Sequence, residues 1–180
     1  MEATGFDTWV LSLAVFLPLV GALVMMVIPK AYEAELKLVA LGSSLAALVV
    51  GVYLAFQFDY GAAGDLQFVV DKGWIDVINS RYIVGLDGLS LPLLLLSLVV
   101  VPACLIYSWN HVPEPGNTKA FFILLLILST GMNGTFVSQD MILFFVFFEV
   151  VLLPMYFLIG VWGGEDRRYA ALKFFLYTLF

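Results

Sequence analysis

The chain has 180 residues, of which 63% are hydrophobic and 12% charged, and its mean hydropathy is +1.04. That balance excludes an ordinary soluble domain, which is about half apolar and a quarter charged. A formal net charge of −6, with the basic residues scattered, leaves no stripe to track a phosphate backbone, so nucleic acid is excluded as a partner.

A helix crosses roughly 30 Å of hydrocarbon with about 20 mostly apolar residues. Five stretches meet that test and a sixth begins, so the predicted fold is all-α, a polytopic transmembrane bundle forming one membrane domain over residues 1–180. The first span runs from about Thr8 to Ile28 and stops at Pro29-Lys30. No Lys or Arg precedes it, and it is longer than a signal-peptide core, so it is expected to remain as a true span. The second runs from about Leu36 to Phe58, with Gly42, Ser43, Ser44 and Gly51 as expected small packing positions.

The connection 59–87 is the one substantial extramembrane segment. Its Phe68-Val69-Val70, Trp74-Ile75 and Tyr82-Ile83-Val84 runs predict a small hairpin turning at Asp71-Lys72-Gly73, with aromatic residues suited to the headgroup zone. The third span, about Leu89 to Trp109, opens behind Asp87-Gly88, where the Asp87 carboxylate is placed to accept a first-turn N–H. Pro92 falls in the tolerated first turn, and Pro102 is expected to kink the helix. Cys104, the single cysteine, can form neither an internal disulfide nor a metal site, and is expected to be a buried small hydrophobe. His111, beside Pro113 and Pro115, reads as a solvated interfacial side chain.

The fourth span, about Thr118 to Val137, ends in the small and polar patch Ser129, Thr130, Gly131, Asn133 and Gly134, which fits close packing as well as a polar path. The fifth, about Asp140 to Trp162, has Asp140 as its expected N-cap and carries Glu149 near its middle. A charged side chain at the bilayer centre costs about 2.5–3.5 kcal/mol on insertion scales. Desolvation favours the neutral carboxyl unless a cation or water supports the charge. Retained mid-membrane acids face a partner or a water-filled cavity, so Glu149 reads as a proton-exchanging carboxyl; the plainer reading is a protonated glutamate in one interhelical hydrogen bond. Pro154 cannot donate an N–H to the carbonyl of Val150, beside Glu149, and a hydrated pathway would use such a break; a packing kink is the alternative.

The sixth run starts near Arg168 and is still apolar at Phe180. Lys173 enters it and is expected to snorkel to the interface. A helix ending in mid-membrane would leave carbonyls unpaired, so the chain is expected to be the N-terminal part of a longer protein or of a split one. Basic residues at alternate ends, Lys30, Lys37, Lys119, Arg167, Arg168 and Lys173 against Lys72 and Arg81, place the N-terminus and the 59–87 loop outside the cytoplasm. No phosphate loop, metal-ligand spacing or nucleophile elbow is present, so no cofactor or metal is expected in this chain.

The run Phe144-Phe145-Val146-Phe147-Phe148-Glu149-Val150-Val151-Leu152-Leu153-Pro154 through Gly163 resembles the proton-pumping, antiporter-like subunits of respiratory complex I, of the chain M or mitochondrial subunit 4 type. Trp74-Ile75 with Tyr82 to Ser90, and Tyr169 to Thr178, are similar to further stretches of that family. The resemblance implies two inverted repeats behind an N-terminal helix group, and proton translocation coupled to electron transfer from NADH to quinone. NADH, FMN, iron–sulfur clusters and quinone would then be handled by partner subunits, beside other membrane-arm subunits and the lipid bilayer. It implies a bacterial inner (plasma) membrane. Glu149 matches the family's fifth-span glutamate, whose partner lysine would lie beyond Phe180, and Lys173 matches a sixth-span lysine. An Mrp-type sodium/proton antiporter subunit, a membrane-bound hydrogenase subunit and a truncated structural scaffold are the alternatives.

Overall fold

Backbone polar groups in hydrocarbon must be paired within the segment, so apolar runs of this length close into helices. The computed structural model describes residues 7–112 and 116–179. Among the described residues five helices are long and apolar enough to cross a membrane: α1 (Asp7–Val27), α2 (Glu33–Gln57), α3 (Ser90–Tyr107), α4 (Thr118–Val137) and α5 (Met141–Trp162). A shorter α6 (Arg167–Leu179) follows and packs on α5. At 1.5 Å per residue the five measure about 27–38 Å, which matches the hydrocarbon thickness. The predicted all-α membrane bundle is what the chain forms, and it is an integral membrane protein.

The core lies in two layers. One, toward the hairpin, joins Leu11 and Val15 of α1 to Leu54, Leu94, Leu98 and Phe147. The other, at the opposite end, joins Ala22 and Met25 to Leu36, Leu105, Phe122 and Leu126. Large apolar side chains such as Val49, Phe56 and Leu96 point outward, where a bilayer rather than water would solvate them. Small residues bring the helices together: a Cβ at Gly51 would run into Leu98, and one at Gly21 into Ser43. Gly42 departs from its expected packing role, because nothing lies within 4 Å of a Cβ there. Cys104 also departs from expectation. It is exposed on the outer face of α3, since the buried stripe of that helix runs through Leu94, Leu98, Val101 and Leu105.

Helix α3 runs through Pro102, α5 through Pro154 and α1 through Pro18. Pro92 sits in the first turn of α3. The Asp87 carboxylate accepts from the amides of Leu89 (3.0 Å) and Ser90 (2.7 Å), as predicted. At the other side of the bundle the His111 ring stacks on Tyr107 at 5.7 Å. Pro113 and Pro115 lie outside the described residues.

Between α2 and α3 the chain forms strand β1 (Gln67–Ile75) and antiparallel β2 (Ser80–Leu86). The hairpin is present but its turn is not where the sequence suggested. Lys72 and Gly73 are paired inside β1, opposite Tyr82 and Arg81, and the reversal falls at Asp76–Asn79. Val77 and Ile78 disguise that turn, being apolar yet exposed, while Asn79 supplies the left-handed conformation with φ 53°. Phe68, also at positive φ, sits in a bulge between the Gln67 and Val70 pairings.

One lysine clasps the end of a neighbouring helix. The Lys119 ammonium, in the first turn of α4, donates to the carbonyls of Met26 (2.9 Å) and Ile28 (2.7 Å) at the C-terminal end of α1. Those carbonyls have no intrahelical donor and carry the negative end of the helix dipole. Lys119→Met should lower stability by about 1–2 kcal/mol, and Lys119→Arg should restore most of it. Thermal unfolding of the assembled protein reads both.

Candidate functional site

Helix α5 is placed by its two ends. At its start, Asp140 is the N-cap: one carboxylate oxygen accepts from the amides of Ile142 (3.0 Å) and Leu143 (2.9 Å) and from the Ser80 hydroxyl (3.0 Å). The other accepts weakly from the Arg81 amide at 3.4 Å. The amide of Gln139 donates to the carbonyl of Ile83, and Ser138 bridges Val84. Asp140 therefore fixes the helix and the hairpin to each other. At the far end, the Trp162 indole N–H donates to the carbonyl of Gly116 (2.8 Å), and the indole meets Phe121 edge-on.

Hydrogen bonds to the charged form hold both capping carboxyls below the ordinary aspartate range. For Asp140 the largest contribution comes from the Leu143 amide, with Ser80 adding to it. For Asp87 it comes from the Ser90 amide and then the Ser90 hydroxyl. A depressed carboxyl stabilises the fold fully above its unfolded pKa, and that contribution disappears as pH falls through the folded one. The caps should accordingly stay intact down to mildly acidic pH and open only at strongly acidic pH. Amide hydrogen exchange at Ser90 and Leu143, corrected for intrinsic rates, should accelerate there and not near neutrality.

Along the middle of α5 the side chains divide by face. Phe147 and Val151 pack on α4, where Gly131 and Gly134 leave room for them. Glu149, halfway between them in sequence, is rotated about 200° from each at 100° per residue. It lies in an open groove of about 360 Å³ with Ile127, Phe145, Val146, Val150, Leu153 and Pro154. The structure thus brings Glu149 and Pro154 together in one apolar groove. Among the described residues Glu149 has no hydrogen-bond or ionic partner, and the Arg81–Asp71 pair (2.8 Å) is the ion pair they contain.

Lys173 is not brought to Glu149. Helix α6 meets α5 through Ala171 beside Gly160 and Phe175 edge-on to Tyr156. Lys173 falls between those two contacts in sequence, so it projects from the opposite face of α6. Its ammonium lies 5.8 and 5.9 Å from the ring centroids of Tyr169 and Tyr177. The antiparallel register puts it level with Leu158, roughly 13 Å along the axis from Glu149.

The polar patch of α4 divides as well. Its glycines serve the α5 contact, whereas Asn133 turns to α3 and accepts from the Ser97 hydroxyl (2.8 Å). Asn133 is fully buried, and its amide nitrogen has no partner among the described residues. Neither Ser97 nor the helix-clamping role of Lys119 stood out in the sequence. A lone serine midway along an apolar span was the available signal for Ser97, but nothing local named its partner. Among the described residues no group of His, Cys, Asp and Glu could hold a metal ion.

Residues 138–180, with this groove and α6, match the family described as NADH:quinone oxidoreductase/Mrp antiporter, transmembrane. Residues 12–133 match NADH-ubiquinone oxidoreductase chain 4, amino terminus. The chain is 39% identical to NADH-quinone oxidoreductase subunit M of Rhodobacter capsulatus, over 93% of this chain and 32% of that protein. It is 35% identical to F(420)H(2) dehydrogenase subunit M of Methanosarcina mazei, over 94% of this chain and 33% of that protein. Among solved structures, respiratory complex I from Thermus thermophilus with bound NADH contains a chain of the same fold: TM-score 0.75, 24% identity, covering 94% of this chain and 32% of that one. The chain spans about a third of the length of the curated relatives it matches. The chain therefore belongs to the family of NADH-ubiquinone oxidoreductase chain 4, whose amino-terminal model matches residues 12–133.

Proposed function

We propose that this chain is the N-terminal part of a proton-translocating, antiporter-like subunit in the membrane arm of an NADH:quinone oxidoreductase. The observation that carries the reading is Glu149, a carboxyl in the middle of an apolar span, in a groove beside Pro154, with no partner among the described residues. A carboxyl so placed takes up a proton as the carboxylate, holds it as the neutral acid in the apolar groove, and releases it when a cation approaches, which is what a translocation step requires. Pro154 keeps the Val150 carbonyl free to receive a water or a donor at that depth. Lys173 serves the same path from a distance, near the membrane surface, as a secondary charge.

In this reading residues 59–87 and the N-terminus lie outside the cytoplasm of a bacterium, and the bilayer is its inner membrane. Redox chemistry on NADH, FMN, iron–sulfur clusters and quinone belongs to partner subunits, and other membrane-arm subunits flank this one. A second reading has specific support. The Methanosarcina relative is named for F(420)H(2), so a subunit of this kind can serve a different electron-input module.

Affinity purification of the assembled complex through a tag on this subunit tests the reading. Flavin and iron–sulfur subunits should co-purify, and NADH should drive proton uptake into vesicles containing the complex. Uptake driven by F(420)H(2) but not by NADH would select the second reading. Sodium/proton exchange with no redox partner would overturn both.

A further inference from the structure

A second groove, of about 360 Å³, opens where the first turns of α1 meet the hairpin. Its walls are Val10, Leu13, Phe16 and Val70. The polar atoms facing it, the Ser12 and Tyr82 hydroxyls, bond to each other at 2.9 Å, so the walls offer an occupant little but apolar surface. At its mouth the Lys72 ammonium lies 3.5 Å from the centroid of the Trp9 ring, held there by a cation–π contact. Asp71 does not neutralise this cation. Adjacent strand residues face opposite sides of the ribbon, and Asp71 is paired with Arg81 at 2.8 Å. An apolar slot with a fixed cation at the membrane boundary is complementary to a solute that is apolar along its length and anionic at its head.

We propose that this groove binds one anionic phospholipid from the leaflet on the hairpin side. An acyl chain lies along Leu13 and Phe16, and the phosphate sits against Lys72. The site is separate from the Glu149 groove and does not depend on the function proposed above.

The test uses the assembled complex in vesicles doped with phosphatidylglycerol bearing a photoreactive acyl chain. Peptide mass spectrometry then compares labelling of residues 10–16 with that of the outward-facing α2 segment 49–56. Segment 10–16 should label more heavily. Lys72→Gln should lower its labelling about fivefold, the factor one lysine near a membrane surface contributes. Leu13→Trp should fill the groove and abolish it, with 49–56 unchanged in both variants. Lys72→Arg should retain the label, which shows that the hairpin contact survives substitution. Equal labelling of the two segments, no response to Lys72→Gln, or cross-links from 10–16 to a neighbouring protein instead of lipid would each overturn the proposal.

Discussion

Glu149→Gln is expected to stop proton translocation by the assembled complex while leaving the complex intact. Glutamine has nearly the same shape and removes the one group in the groove that can exchange a proton. A neutral amide in an apolar groove also avoids the cost of burying a charge, so assembly is not expected to suffer. Removal of a positioned proton-transfer group slows such steps about a hundredfold or more. Proton uptake assigned to this subunit should fall on that scale. Glu149→Asp keeps the acid and retracts it by one methylene, so it should retain part of the flux. Donor-driven dye quenching in vesicles, normalised to the amount of complex, separates the two variants.

The second large effect is structural. A Cβ at position 131 would lie 2.8 Å from Val151 Cγ2, 2.9 Å from the Val151 amide nitrogen and 3.1 Å from the Phe147 carbonyl oxygen. Two of those atoms are backbone and cannot rotate away, so α4 and α5 have to separate. Overpacking of this kind costs about 1–3 kcal/mol, and Leu adds three more carbons than the Cβ alone. Gly131→Leu should lower the amount of assembled complex severalfold and reduce its thermal stability. It should also weaken pumping per complex, because the displaced helix carries Glu149. Gly42→Leu is the matched control: its Cβ meets nothing within 4 Å, so quantity and melting temperature should not change.

What could be read in advance follows from which forces act locally. Hydrocarbon imposes helices on apolar runs, so the span limits were legible to within a few residues. Thr118–Val137 and the Asp140 cap are examples, because the start signal lies next to the helix it starts. The hairpin was legible as alternating β-rich runs, but its turn was not. Gly73 looked like the breaker, yet it sits in β1, while the true reversal is hidden among apolar residues. Tertiary placement was the least legible. The same helical period that buries Leu98 and Leu105 exposes Cys104, and sequence alone does not say which face meets the bundle. Gly42 failed as a packing site and Gly51 succeeded for the same reason. Glu149 and Pro154 were singled out as neighbours in sequence and proved neighbours in one groove. Lys173 was set by the α5–α6 register, which no local pattern encodes, and that register holds it away from Glu149.

On the proposed function, the Glu149 carboxyl itself changes protonation as the complex turns over. Infrared difference spectroscopy of the assembled complex, before and during electron transfer to quinone, reads that event directly. A protonated-carboxyl band should change during turnover, shift with Glu149→Asp and be missing in Glu149→Gln. A difference spectrum identical in the wild type and the Gln variant, with proton stoichiometry preserved, would contradict it.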